Sequence, residues 1–286
     1  MHLGNLVGIR ITVNPLFIFI CVIYVYLGLA LEIIVVLTSV LAHEIAHSVM
    51  ARIMGLKIAE IHILPFGGQA KIEDFTGLNP DKEIYVALAG PCLSLSVAAA
   101  FYFLPLQFST TIIDIAVKVN LLLGILNLLP ALPLDGGRVL RAVLSSYRGY
   151  NKATRDAALI GKIIAILMIF GGCYLTWRNS IGVNFIILGV FLFWAAQREA
   201  GLLAYAFLRY LIRKKGELAG KGFLSSKQVV STENTLIKKI LESSQPGYYL
   251  VVLIVDDEHH MMGIRTEAEL IACLLEKGPH ASLRDC

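Results

Sequence analysis

Charge is scarce in this chain: Asp, Glu, Lys and Arg together make up 16% of its 286 residues, while 57% are hydrophobic. So few charged groups cannot clothe a water-soluble domain of this length, and roughly the first two hundred residues therefore belong in a bilayer. Thiol patterning is missing as well. Cys21, Cys92, Cys173, Cys273 and Cys286 are odd in number, contain no CxxC pair and lie away from His43 and His47. That excludes a thiolate metal site, argues against a disulfide framework and leaves the cysteines as packing residues. A block of basic residues is also lacking. The net charge of +4 is spread between hydrophobic segments, which points to membrane topology and away from nucleic acid. Only Arg10 precedes the first apolar run and a second run follows almost at once, so Asn14 to Ala30 is expected to be a retained span, not a signal peptide.

What the chain does have is long apolar runs. Six of them, at 14–30, 32–54, 83–104, 112–130, 160–177 and 182–198, approach the roughly 17 to 25 residues that cross a hydrocarbon core. Arg52, Lys57, Lys71 and Lys82 follow the second, and Arg138, Arg141, Arg148, Lys152, Arg155 and Lys162 follow the fourth, whereas the opposite loops hold little beyond Arg178. By the positive-inside rule both termini face the cytoplasm. The expected fold is mainly α, a polytopic membrane protein with six transmembrane helices over 1–200, a juxtamembrane linker over 201–222, and a small cytoplasmic α/β domain over 223–286. In that last part Leu236 to Leu241 and Glu267 to Leu275 have helical patterns, Tyr248 to Val255 is a buried β-rich run, and Asp256 to Glu258 is a turn. A unit this small is marginal alone and calls for a partner surface.

The chemistry sits in the second apolar run, where His43-Glu44-Ile45-Ala46-His47 is an HExxH motif. Residues four apart share a helix face, about 6 Å apart along the axis, so two imidazoles can meet one metal while Glu44 is offset toward its water. At membrane depth three ionisable groups in five residues are costly, and a bound cation or water cavity is the natural compensation. One Zn²⁺ per chain suits two nitrogens and one carboxylate with a fourth position open. Glu44 is then the general base and acid.

The third ligand comes from elsewhere, and Asn127-Leu-Leu-Pro130-Ala-Leu-Pro133-Leu-Asp135-Gly136-Gly137 offers it. Two prolines break the helix and two glycines permit close backbone approach, so Asp135 is expected on unwound chain at membrane depth. Alternatively Asp135 merely caps a helix end. A second device lies between the second and third runs. Ile58 to Ile63 and Gln69 to Glu73, joined through Pro65 and Gly67-Gly68, are expected to form a re-entrant β-hairpin whose edge pairs with an unwound substrate, with Asn127 opposite; a plain surface loop is the alternative.

HEIAH in one span and NLLPALPLDGGR at the end of a later one resemble the site-2 protease family of intramembrane zinc metalloproteases, and Leu64-Pro65-Phe66-Gly67-Gly68-Gln69 resembles its sporulation branch. The resemblance implies that His43, His47 and Asp135 are zinc ligands and Glu44 the catalytic residue. It implies that Asn127 and Pro133, with Phe66, Gly67 and Gly68, position substrate. It further implies regulated intramembrane proteolysis of a membrane-tethered pro-sigma factor, pro-sigma-K, in the outer forespore membrane facing the mother cell. Stage IV sporulation protein FA and the bypass-of-forespore protein would be inhibitory partners. The tail is similar to one CBS motif, which implies homo-oligomers through tail pairing and ATP as a regulator. Thr266 and Glu269 would then be nucleotide contacts, with Glu269 standing where that family has aspartate; a purely structural or substrate-docking tail is the alternative. Outside the protease class, the same histidines could serve a CBS-gated membrane metal transporter, which would not need Glu44.

Overall fold

A computed structural model of the chain describes residues 2–6, 9–13, 15–56, 58–64, 67–72, 80–103, 110–178, 182–201, 222–245, 248–278 and 280–286. They form two compact units, Met1–Phe75 with Asp81–Val139, and Thr76–Pro80 with Leu140–Cys286.

The first unit opens with strands β1 (His2–Leu6) and β2 (Ile9–Val13), then helices α1 (Pro15–Tyr26) and α2 (Ala30–Ile53). Strands β3 (Ile58–Leu64) and β4 (Gly67–Ile72) follow, then α3 (Pro80–Phe103) and α4 (Thr110–Asn127). The four strands make one sheet in sequence order, β2 and β3 running parallel and the other pairs antiparallel. A parallel pair needs a long crossover, and α1 with α2 supplies it. The expected hairpin is there as β3 and β4, but its glycines differ in role. Gly67 and Gly68 are paired within β4, opposite Leu64 and Ile63, instead of forming the turn. Phe66, Pro65 and Glu73 lie outside the described residues. The strands β1 and β2 were not expected at all: β1 pairs with β2 beside it in sequence, and β2 reaches β3 only across two helices.

Each of the six apolar runs overlaps a helix, and three helices among the described residues, α2, α3 and α6 (Tyr150–Arg178), are long and apolar enough to cross a membrane. The 12 described residues of α1 reach only about 18 Å at 1.5 Å per residue, short of a 30 Å core. Helix α6 begins ten residues before the apolar run at 160, because its first turns carry Lys152, Arg155 and Asp156 and so escape a hydropathy count. The stretch after α4 corrects the sequence reading: where only charged loop was expected, Asp135–Arg148 forms helix α5.

Helix α2 buries Ser39, His43, His47 and Ala51, four residues at successive four-residue steps and hence on one face. Asn120 of α4 donates its amide to Ser39 Oγ at 2.9 Å, tying that face to α4. A polar pair buried between apolar helices fixes register, since sliding either helix would strand both groups.

In the second unit α6 packs along α7 (Val183–Gly201). Gly189 makes the approach possible, because a Cβ there would come within 2.9 Å of Ala165 O. Arg141 faces Glu199 at 3.7 Å and lies over the Tyr150 ring, joining α5, α6 and α7. The tail contains β5 (Ser225–Thr232), α8 (Ile237–Leu241), β6 (Tyr248–Val255), β7 (Met261–Thr266) and α9 (Glu267–Lys277), of which α8, β6 and α9 match the helix, strand and helix read from its sequence. β6 pairs parallel with β5 and antiparallel with β7. Its alternate residues Leu250, Val252 and Ile254 join Ile237, Leu241 and Leu270 in a small core. Residues 202–221, nearly all of the expected linker, lie outside the described residues.

The expectation that the cysteines only pack needs correction. Cys273 and Cys286 form a disulfide, with Cα atoms 6.0 Å apart, while Cys21, Cys92 and Cys173 are free. The chain folds back after α9 through a turn at Leu283–Asp285 that packs its Leu283 into the tail core, carrying residue 286 to the helix. No local motif announces such a pairing.

Candidate metal centre

His43 and His47 project from the buried face of α2, their rings edge to face with centroids 4.8 Å apart. Asp135 arrives from the broken segment after α4. Residues 128–134 are non-helical, the Leu132–Pro133 peptide is cis, and α5 starts at Asp135 itself. The unwound chain thus precedes the aspartate instead of carrying it. Gly136 and Gly137 lie against the backbone of Leu128, Leu129 and Ala131, where any Cβ would collide. Only glycine lets α5 turn back so closely on the strand that leads into it.

The three groups meet through one oxygen. Asp135 Oδ2 stands 3.1 Å from His43 Nε2 and 3.1 Å from His47 Nε2, and all three residues are buried. The far side of each ring is also held. His47 Nδ1 lies 2.7 Å from Val86 O, and His43 Nδ1 lies 2.9 Å from Ser94 Oγ, both partners being on α3. A carbonyl oxygen can only accept, so His47 Nδ1 carries a proton and Nε2 is the nitrogen turned to the carboxylate. Two imidazole nitrogens and one carboxylate oxygen converging within 3.1 Å at a buried point are donors that a divalent metal suits. The donor set therefore fits zinc.

A second carboxylate is near. The ligand atoms of His43, Glu44 and His47 all lie within 4.8 Å of one another. Of the two acids Asp135 touches both Nε2 atoms, which leaves Glu44 beside the group as the acid free for proton transfer. Arg138, one turn along α5, sits 3.7 Å from Asp135 Oδ1, the oxygen not shared by the histidines. Opposite, α3 presents Gly90. A Cβ there would come 2.6 Å from His43 Nε2 and closer still to His47 Nε2, filling the space where a metal would stand.

Reading the sequence found His43, Glu44, His47 and Asp135, and the structure brings them together. It missed Val86, Ser94 and Gly90, whose only signal is their 86, 90, 94 spacing on one face of a later apolar helix. Asn127 ends α4, and its amide donates to Leu123 O at 3.0 Å within its own helix. Pro133 lies in the irregular segment two residues before Asp135. Gly67 and Gly68 lie on β4, the edge strand of the sheet. Thr266 and Glu269 close a reciprocal capping box at the start of α9: Thr266 N donates to the Glu269 carboxylate at 2.9 Å, and Glu269 N to Thr266 Oγ1 at 3.4 Å.

Residues 31–113 and 106–171 match peptidase family M50. A zinc metalloprotease of Methanocaldococcus jannaschii is 32% identical over 218 residues, covering 70% of this chain and 60% of that protein. Stage IV sporulation protein FB of Bacillus subtilis is 26% identical over 211 residues, covering 72% of this chain and 71% of that protein. The solved structure of a site-2 protease from Methanocaldococcus jannaschii aligns with a TM-score of 0.55 at 31% identity, covering 70% of this chain and 94% of that one. The chain thus spans less than two thirds of the length of the first of these relatives, 60%.

Proposed function

The chain belongs to peptidase family M50, the site-2 protease family of zinc metalloproteases, and from that membership we propose that it is an intramembrane zinc metalloendopeptidase. The observation that carries the reading is the single Asp135 oxygen facing two histidine Nε2 atoms, with both rings anchored through Nδ1 to α3. His43, His47 and Asp135 would hold the metal. Zinc, when bound, supplies a Lewis acid and lowers the pKa of water toward neutrality. Glu44 takes the proton of the attacking water on its carboxylate and returns it to the leaving amine nitrogen. Val86 O and Ser94 Oγ keep both rings turned with Nε2 inward, and burial of the site limits access of competing water.

A helical substrate must be unwound before its carbonyl can be attacked. The edge strand β4, including Gly67 and Gly68, offers backbone groups for an added strand, and Phe66, Asn127 and Pro133 complete the substrate contacts in this reading. Six membrane spans with both termini cytoplasmic follow from the apolar runs and the loop charges. The likeness to stage IV sporulation protein FB supports the narrower proposal of a sporulation protease that cuts a membrane-tethered pro-sigma factor, pro-sigma-K, at the outer forespore membrane. Stage IV sporulation protein FA and the bypass-of-forespore protein are then the proposed inhibitors, and CBS-like tails the proposed means of self-association. ATP on the tail would have to displace Glu269 from Thr266 N–H, to which it is bonded in the helix cap.

Co-expression of the chain with a tagged pro-sigma factor tests the reading by the size of the product. Wild type should shorten the substrate and Glu44→Gln should not, while retaining zinc; cleavage by Glu44→Gln would overturn the mechanism. The Cys273–Cys286 bridge bears on the side of the membrane, since disulfides persist in oxidising compartments. In cells a cytoplasmic tail is expected to hold Cys273 and Cys286 reduced, so that a membrane-impermeant maleimide alkylates both only after the membrane is permeabilised.

A further inference from the structure

The second unit contains a cavity of about 470 Å³ that the proteolytic reading does not use. It is lined by Tyr147, Arg148, Lys152, Lys227, Ser243 and Gln245, so the last turn of α5 and the first turn of α6 form one wall and the tail the other. The two walls are joined. Gln245 Nε2 donates to Tyr147 O at 2.9 Å, and Gly149, at φ +81°, tucks under the carbonyls of Glu242 and Ser244, where a Cβ would come within 2.9 Å of both. The turn between α5 and α6 is therefore shaped to receive residues 242–245 of the tail.

Every charged side chain lining this cavity is cationic. Arg148 is partnered by Asp156 at 3.0 Å, but among the described residues neither Lys152 nor Lys227 has a carboxylate partner. Bringing like charges from two walls into one concavity costs energy, which an anion with several acceptor oxygens would recover. Ser243, Tyr147 and Gln245 are the uncharged polar residues of the lining. The volume exceeds that of a bare oxyanion and lies in the range of small-molecule sites. We propose that this cavity binds a phosphate-bearing anion that bridges the α5–α6 turn to the tail through Arg148, Lys152 and Lys227.

Two sources share that chemistry. Helix α6 begins at Tyr150 and is apolar enough to cross a membrane, which sets Lys152 in the first turn of a candidate span, where an anionic phospholipid headgroup would lie. A soluble organophosphate presents the same oxygens. The site is separate from Thr266 and Glu269, whose polar groups serve the α9 cap.

The test uses the full chain in nanodiscs and reads amide hydrogen exchange over 147–152 and 242–245. One arm adds inorganic pyrophosphate to discs of phosphatidylcholine alone; the other replaces part of the phosphatidylcholine by phosphatidylglycerol. Slowed exchange with pyrophosphate identifies a soluble phosphate ligand, and slowed exchange only with phosphatidylglycerol identifies a headgroup. In the responding arm Lys152→Gln with Lys227→Gln should shift the midpoint by about tenfold or more, as loss of charged hydrogen bonds predicts. Lys152→Arg with Lys227→Arg should respond as wild type, which separates lost charge from lost folding. No response in either arm, or an unaltered response in the double glutamine variant, overturns the proposal.

Discussion

Each unit of this molecule buries carboxylates, and Glu267 of one and Asp135 of the other are satisfied in different ways. In the tail Glu267, 2% exposed, accepts from the Ser244 hydroxyl and from Leu250 N–H at 3.0 Å, so the protein itself supplies donors to both of its oxygens. In the first unit Asp135, 5% exposed, turns one oxygen to two imidazole nitrogens of one helix face. A carboxylate whose two oxygens take a hydroxyl and a backbone donor is part of the structure; one whose single oxygen gathers two imidazoles, with Glu44 beside them, is a donor set that suits a divalent cation.

The sharpest way to break this contrast is to neutralise each acid in place. Asp135→Asn keeps the shape and removes the charge, so zinc measured on the purified chain should fall to background and proteolysis with it. Glu267→Gln should leave zinc content at the wild-type level and instead speed hydrogen exchange of β6, since exchanging a charged hydrogen bond for a neutral one costs about 1 to 2 kcal/mol. Stoichiometric zinc in Asp135→Asn would erase the distinction. Between these extremes, Glu44→Gln should keep its zinc and lose about two to four decades of cleavage rate, the usual worth of a general base.

Gly90→Ala probes the space itself. Alanine favours a helix over glycine by up to about 1 kcal/mol, so α3 should be no less helical. The added Cβ nevertheless enters the volume between the two Nε2 atoms, and zinc should be lost from an otherwise folded chain. Ser94→Ala is milder. It removes the partner of His43 Nδ1 and should weaken zinc affinity by about 10- to 100-fold, read by competition with a chelator, as for other groups that orient a ligand ring.

The centre was legible in the sequence to the extent that its chemistry is local. HEIAH fixes two ligands and a base by helix spacing, and the proline and glycine pattern around Asp135 marks a place where backbone comes close to backbone. Val86 O, Ser94 and Gly90 were not legible, because an ordinary valine, serine and glycine acquire meaning only once α3 is laid across α2. The same limit hid β2, whose parallel pairing to β3 spans two helices, with β1 paired to it, and the Cys273–Cys286 bridge, which depends on the chain folding back onto α9. In the tail, α8, β6 and α9 followed from periodicity, since each packs against near neighbours in sequence.

The smallest effect expected concerns Thr266 and Glu269, where a polar pair again admits both a structural and a functional reading. Here the geometry sides with structure: each side chain accepts from the other's backbone N–H, which satisfies two of the donors that open α9. Thr266→Ala should therefore cost about 1 kcal/mol, seen as faster exchange across Glu267–Lys277, with zinc content and cleavage unchanged. A nucleotide site would behave otherwise, because the threonine would then be held in reserve for a ligand. Were ATP to protect α9 from exchange in wild type and fail to do so in Thr266→Ala, the cap would be the resting state of a binding site and the tail would join the membrane centre as a place where polar groups await a partner.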